Sequence, residues 1–405
     1  MIATPEIAGV ARKIFLIATE ESGDRLGASL MKVLRQRLGG AVRFEGVGGQ
    51  AMAREGLASL FPIEELSIMG FAAVVKQLPM ILRRIRETAE AVTQASPDML
   101  VIIDSPDFTH RVARRVRRRA PEIPILDYVS PTVWAWRPWR ARAMRAYVDC
   151  VLAILPFEPA VYVELNGPPC LYVGHPLIER LAELRPNAEE AQRRRADPPL
   201  VLVLPGSRSS EIETLLAIFG AAIGQLAARI GAIELVLPTV PHLATRVRAG
   251  VAGWPVAPRV VLDPAEKWAA FRTARAALAA SGTVTLELAL AGVPTVAAYK
   301  VSLLAEIVMR LHSPLKTVIL ANLAIGERVV PEFLQRDCRP EKLAEALEQL
   351  FADTAERSRQ IEGFAKLDHI MAVDTAPSGK AAATVLDVAR RGRRDVAAVG
   401  ALRSR

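Results

Sequence analysis

Cysteine is scarce in this chain: Cys150, Cys170 and Cys338 are the only three in 405 residues, and their spacing is not that of metal ligands. Such usage suits a reducing cytoplasm with buried thiols, and no metal site is expected. Aromatic residues make up only 5%. No RNP-like, zinc-finger or helix-turn-helix signature is present, so no nucleic-acid partner is expected. Long apolar runs are also missing. The longest, around Leu215 to Ala228, is too short for a span and is flanked by Glu213 and Arg229. Met1 to Ala11 carries Glu6 and lacks the apolar core of a signal peptide. Nothing is expected to cross a membrane. The G-x-G-x-x-G dinucleotide fingerprint is absent as well.

What is present is a chain able to fold: 51% hydrophobic and 23% charged, long enough for two domains. Its net charge of +9 attracts anions, among which nucleic acid, anionic lipid and phosphorylated metabolites all qualify.

Lys13 to Ala18 reads as a first strand. Thr19 to Asp24 then turns into a helix carrying Leu26, Leu30, Leu34 and Leu38 at helical spacing. This strand–turn–helix opening is that of a doubly wound α/β domain. Val42 to Val47 continues it. Asp98 to Phe108 reads as a buried parallel strand ending in acids. Ligands sit at the carboxyl ends of such strands, so Asp104 falls where chemistry is done; its alternative role is to cap the next helix, for which Asp107 is better placed. The arginines from Arg111 to Arg119 read as solvated surface. Between Ser130 and Arg140 stand three of the five tryptophans, a packed loop or an interfacial or sugar-stacking wall. His175 reads as a hinge residue rather than a base.

Arg185 to Pro199, charged and with three prolines, is the expected linker. A second alternating unit follows. Leu200 to Leu204 runs into Gly206-Ser207-Arg208, and Ala276 to Leu278 runs into Ser281-Gly282-Thr283 before a helix over Thr283 to Leu290. Each turn aims backbone N–H groups and a positive dipole end at an anion, and Arg208 adds a fixed cation. Glu287, one turn beyond Thr283, is placed either to accept hydrogen bonds from a ribose diol or to be a surface glutamate. The expected architecture is α/β: two doubly wound Rossmann-like domains facing across a cleft, of the GT-B type. Residues 1–184 form the acceptor side, 185–375 the UDP-sugar side, and 376–405 a C-terminal helix and basic tail.

The run Ile68 to Val75 is uncharged, and behind it Leu78, Ile81, Leu82, Ile85, Ala89 and Val92 form a stripe beside Arg83, Arg84 and Arg86. It reads as a core helix with a basic face, or as a loop seated in a bilayer headgroup region.

Several motifs occur together in order: Glu20-Glu21-Ser22-Gly23-Asp24, Gly46-Val47-Gly48-Gly49, Leu66 to Gly70, Ile103-Asp104-Ser105-Pro106-Asp107-Phe108, Tyr128 to Arg137, Leu155 to Glu158, Leu204 to Arg208, Ser281 to Glu287, and Asn322 to Gln335. In these the chain resembles the lipid-A-disaccharide synthase family over roughly residues 13 to 375. The resemblance implies an inverting transfer from UDP-2,3-diacylglucosamine to 2,3-diacylglucosamine 1-phosphate. The products would be a β-1,6-linked disaccharide phosphate and UDP. It further implies a cytoplasmic enzyme bound peripherally to the inner membrane of a Gram-negative cell, with no cofactor and no metal; a homo-oligomer is left open. Asp104 is the expected base, with Glu20 as its alternate. Ser22, Gly23, Asp24, Gly206, Ser207, Arg208, Ser281, Gly282, Thr283, Glu287, Asn322 and Gln335 are the expected substrate contacts, and Met69, Phe71, Val74 and Val75 the membrane contacts. Thr19, Ala73 and Ala321 depart from the family pattern, where glycine, glutamate and proline are usual. Two other readings are a UDP-sugar epimerase on the same scaffold and a non-catalytic basic membrane-associated module.

Overall fold

The computed structural model describes residues 12–66, 71–301 and 317–393. Met69 and the side chains of Phe71, Val74 and Val75 lie outside the described residues. The chain forms two compact units, Met1–Pro176 with Val373–Arg405, and Leu177–Ala372.

The first unit holds a parallel sheet of β1 (Arg12–Ala18), β2 (Val42–Val47), β3 (Met99–Ile103), β4 (Ile125–Tyr128), β5 (Cys150–Ala153) and β6 (Cys170–Tyr172), in the order β2-β1-β3-β4-β5-β6. Alternate residues of its central strands enter two cores. Phe15, Ile17, Leu100 and Ile102 meet Ile85, Ala89 and Val112 on one face. Ile14, Leu16, Val101 and Ile103 meet Leu30 and Leu34 on the other. Burial on both faces is why these strands read as unbroken apolar runs. The last helix, Pro377–Arg391, adds Ala382, Val385 and Val388 to this second core, so the C-terminal segment completes the first unit. Gly46 has a geometric reason to be glycine: a Cβ there would lie 1.8 Å from the Leu16 carbonyl oxygen.

Two expectations change in this unit. Phe71 onward is helical, the first residues of the helix Phe71–Ala95, where a loop to Val75 was one reading. The arginine run of helix Pro106–Arg119 is not wholly solvated. Arg117 is buried and pairs with Asp149, and it donates to the carbonyls of Pro121 (2.6 Å) and Ile123 (2.9 Å).

The second unit repeats the plan with β7 (Leu200–Leu204), β8 (Glu234–Pro238), β9 (Arg259–Val261), β10 (Ala276–Ala280), β11 (Thr295–Tyr299) and β12 (Glu332–Leu334), ordered β12-β11-β10-β7-β8-β9 and parallel throughout. The helix Ser209–Ile230 is long and apolar enough to span a bilayer, but Ile212, Leu215, Phe219, Ile223 and Leu226 are packed into the sheet core. The expected linker is not one. Residues 185–199 lie inside this unit, where Asn187 and Glu190 cap the helix Ala188–Arg193 reciprocally. Arg194 then donates to the carbonyls of Phe271, Arg272, Ala291 and Gly292. Prolines and charges give the stretch the composition of a linker, but it holds a capped helix, and a guanidinium satisfying four carbonyls ties its end down.

Candidate functional site

In each sheet the strand order reverses at one place, and the crevice there, at the carboxyl ends of the strands, is where open α/β sheets bind ligands. In the first sheet this is between β1 and β3, which are paired Ala18 to Ile103. Glu20 follows one strand and Asp104 the other. The topology thus brings together two acids 84 positions apart in sequence. The Ser105 hydroxyl links the two turns by donating to Glu20 Oε1 at 2.9 Å.

Asp104 and Ser105 both lie in the left-handed region, at φ 52° and 48°. Non-glycine residues hold that conformation at a cost, and such strain gathers at functional sites. Local bonds fix it here. The Asp104 N–H donates to Tyr128 O at 3.0 Å, its carbonyl accepts from Thr109 Oγ1 at 2.8 Å, and its carboxylate accepts from the Ser105 N–H at 2.8 Å. Burial pushes the Asp104 pKa up, the Ser105 N–H opposes this, and the negative charges of Glu20 and Asp127 add to the rise. Asp127 is wholly buried on β4, with His110 Nε2 3.1 Å from its Oδ2 and Tyr147 Oη 3.1 Å from His110 Nδ1.

The rest of the Glu20–Asp24 motif divides by role. Glu20 and Ser22 are exposed. Gly23 packs against Ala18 and Ile103, where an added Cβ would meet both at 3.4 Å. Asp24 is only 3% exposed and accepts from the N–H groups of Gly49 (2.7 Å), Ala51 (2.8 Å) and Met52 (3.0 Å). Its carboxylate caps the short helix Gln50–Arg54 instead of pointing at a ligand, which also explains the Gly48-Gly49 pair: side chains there would strike Met52 and Asp24. Asp24→Ala strands three donors, so the unfolding free energy is expected to fall by roughly 3 kcal/mol in urea titration, with UDP affinity of the folded protein unchanged.

In the second sheet the reversal lies between β7 and β10, paired Leu204 to Ala279. Both expected anion turns, Gly206-Ser207-Arg208 and Ser281-Gly282-Thr283, emerge there. A Cβ on Gly282 would meet nothing within 4 Å among the described residues, so this turn leaves space in front of its N–H groups. Gly282 and Thr283 are exposed, and the Ser281 hydroxyl donates to Val318 O at 3.3 Å. The first turn is different. Its N–H groups at Ser207 and Arg208 already donate to Glu211 Oε2, at 2.9 and 3.1 Å. Glu211 Oε1 accepts from Arg208 Nη1 (3.3 Å) and Tyr299 Oη (3.4 Å). An internal carboxylate thus fills the backbone cradle, and the turn's free anion-binding capacity is the Arg208 side chain, 67% exposed. Sequence reasoning missed Glu211, whose signal was a glutamate three residues after the helix N-cap.

Glu287 is partly buried, and Lys267 Nζ donates to its Oε2 at 2.7 Å while lying 4.2 Å from the Trp268 ring centroid. No local pattern could reveal Lys267, which sits on a different helix. By holding one carboxylate oxygen it aims the other. Lys267→Met is therefore expected to narrow the preference for UDP over 2′-deoxy-UDP, read by calorimetry, by up to about tenfold.

Asn322 and Gln335 are not free to line a ligand as expected. Asn322, 1% exposed, accepts from the N–H groups of Val329 and Val330 (2.9 and 2.8 Å) and donates to Val330 O at 2.8 Å. Gln335 bonds both the N–H and the carbonyl of Val301, at 2.7 and 3.3 Å. Side-chain amides pair both backbone polarities at once, so a loop that leaves its peptide groups unpaired recruits them. Within the tryptophan loop Trp134 is packed, its Nε1 3.2 Å from Glu158 and its ring edge-on to Phe157, whereas Trp139 is exposed. Burial drives Glu158 up to about 7 and His175 down to about 4, so His175 stays neutral at physiological pH.

Two parallel six-stranded sheets, with acids at one switch point and glycine-containing strand-to-helix turns at the other, are the frame of a nucleotide-sugar enzyme of the GT-B class. The fold is shared with MurG of Acinetobacter baumannii (TM-score 0.56, 16% identity, 93% of this chain and 99% of that one) and with a UDP co-structure of Staphylococcus aureus MnaA (TM-score 0.61, 12% identity, 93% and 95%). The family profile described as lipid-A-disaccharide synthetase matches residues 14–381, and the chain belongs to that family. It is 66% identical to the lipid-A-disaccharide synthase of Bradyrhizobium diazoefficiens (95% of this chain, 98% of that one) and 45% identical to that of Rhodospirillum centenum (93% and 94%).

Proposed function

We propose that this glycosyltransferase joins UDP-2,3-diacylglucosamine to 2,3-diacylglucosamine 1-phosphate, forming the β-1,6-linked lipid A disaccharide phosphate and UDP. The observation that carries the reading, beside family membership, is the chemistry of the two switch points. A carboxylate of raised proton affinity stands at one, and an exposed guanidinium with an open helix N-terminus stands at the other. Asp104 takes the proton of the acceptor 6-hydroxyl as its oxygen bonds to the anomeric carbon. The bond from that carbon to the diphosphate breaks on the opposite face, so the configuration inverts. Charge gathers on the departing diphosphate, where Arg208 and the N–H groups of the Ser281–Thr283 turn stabilise it. Glu287 holds the ribose. Glu20, exposed beside Asp104, orients the acceptor.

The test is direct: incubate the protein with both diacylated substrates and assay UDP and disaccharide. UDP-GlcNAc epimerisation without acceptor, in place of disaccharide, would move the assignment to a sugar epimerase on the same scaffold.

Acylated sugars stay in the bilayer because each buried CH₂ is worth about 0.8 kcal/mol. The proposed docking segment is Ile68 to Val75, next to Arg83, Arg84 and Arg86. Replacing Phe71 and Val75 together by serine is expected to weaken binding to anionic vesicles at least about tenfold with the melting temperature unchanged. A sharp drop in melting temperature with vesicle binding intact would assign both residues to the core.

A further inference from the structure

At the opposite ends of the second sheet's strands from its two expected anion turns lies a cavity of about 550 Å³. Pro198 and Pro199 before β7, Ala232 before β8 and Arg275 before β10 enter it at the amino ends of three adjacent strands, joined by Arg195 and Phe351. Its volume is that of a small-molecule site.

Arg195 and Arg275 line it, Arg194 and Arg357 lie close by, and among the described residues all four lack a carboxylate partner. Arg193 pairs with Glu234 and Arg272 with Glu190, but among the described residues no carboxylate lies within ion-pairing distance of Arg194, Arg195, Arg275 or Arg357. Three are held by carbonyl oxygens alone. Arg194 donates to four of them, at 2.7 to 3.1 Å. Arg275 Nε donates to Phe351 O at 2.9 Å, and Arg357 Nη1 to Arg275 O at 3.2 Å. Carbonyls satisfy the N–H groups but do not cancel the charge. Burial, followed by the neighbouring Arg357, lowers Arg194 to about 10; Arg357 is lowered by burial and then by Arg275 and Arg195, with Asp353 opposing. Arg195 is exposed at the cavity wall, and its side chain has no hydrogen-bond or ion-pair partner among the described residues. Phe351 and the two prolines offer an apolar wall, and Asp197 offers an acceptor for hydroxyl groups.

We infer that this cavity is a second ligand site, taking an organic phosphate of nucleotide size: the phosphate on Arg195 and Arg275, the ring against Phe351 and the prolines, and sugar hydroxyls on Asp197. An anion there meets fixed guanidinium groups that need no reorganisation, and a bare phosphate would leave the apolar wall unused and face Asp197 without a hydroxyl.

The probe is ADP, titrated calorimetrically into full-length Arg208→Ala protein, in which the catalytic-side turn has lost its exposed cation and any ADP that still binds there is told apart by its indifference to Arg195. Saturable binding of one ADP per chain is expected, weakened at least about tenfold by adding Arg195→Glu. Arg195 is exposed and outside the proposed catalytic machinery, so that change spares the fold, and the Arg195→Glu single variant should keep the disaccharide-forming activity of the unmodified protein. Absence of saturable ADP binding to Arg208→Ala, or affinity indifferent to Arg195→Glu, overturns the site. Inorganic pyrophosphate binding as tightly as ADP overturns the organic-phosphate assignment. Loss of disaccharide synthesis by the unmodified protein bears on the proposed reaction alone and is read separately.

Discussion

Asp104→Asn is expected to lower turnover by about 10²–10⁴-fold while UDP affinity stays within about twofold. Asparagine tolerates the left-handed conformation at φ 52° and keeps the oxygen that accepts from the Ser105 N–H, so the turn survives and only the base is lost. The pH dependence follows from burial. Since Asp104 binds its proton more tightly than an ordinary aspartate, kcat/KM falls on the acid side at a higher pH than an ordinary aspartate would give, and the residual activity of the variant loses that limb. The stability effect has the opposite sense from that of a salt-bridged acid. With its folded pKa above the unfolded one, the native state holds more protons, and stability declines as pH rises from the unfolded to the folded pKa. The variant has no such decline, so at neutral pH it should be at least as stable as the parent. Near-normal turnover in the folded variant would pass the role to Glu20.

Reading the chain alone recovers most of the frame, because parallel strands buried on both faces are unbroken apolar runs separated by helical stripes. Lys13 to Ala18, Val42 to Val47, Leu200 to Leu204 and the helix from Thr283 to Leu290 all stand where the pattern put them. The turns after β7 and β10 were legible for the same reason: a glycine between strand and helix is a local signal. Roles set by distant partners were not. Asp24 looks like part of a ligand-binding turn until Gly49, Ala51 and Met52 are seen to converge on it. Asn322 and Gln335 likewise carry amides that suit a phosphate equally well as a stranded peptide group. The stretch 185–199 has a linker's composition, but its fate is decided by carbonyls at Phe271 to Gly292, about 80 to 100 residues away. That the final helix completes the first unit is equally non-local, since Leu30 and Leu34 supply its groove.

Arg208→Ala is expected to cut the rate of the chemical step by about 10²-fold and to weaken UDP binding less than that. The asymmetry arises because the charge on the diphosphate grows as its bond to the sugar breaks, so a cation there is worth more in the transition state than in the ground state. Glu211 sharpens the expectation. Its carboxylate occupies the N–H groups of Ser207 and Arg208, so the turn has few donors to spare once the guanidinium is gone. The Glu211 charge also loses its partner at Arg208 Nη1 and then repels the leaving group. Glu211→Gln in the Arg208→Ala background keeps an oxygen for both N–H groups but removes the negative charge, and it should recover part of the rate. Arg208→Lys should recover less than full activity, since an ammonium lacks the planar fork that grips two phosphate oxygens. Single-turnover kinetics with saturating donor separate the chemical step from binding. Activity should persist in excess EDTA. Abolition by chelation with rescue by Mg²⁺ would transfer the compensating charge from Arg208 to a metal. A rate unchanged in the folded Arg208→Ala variant would remove this turn from the reaction.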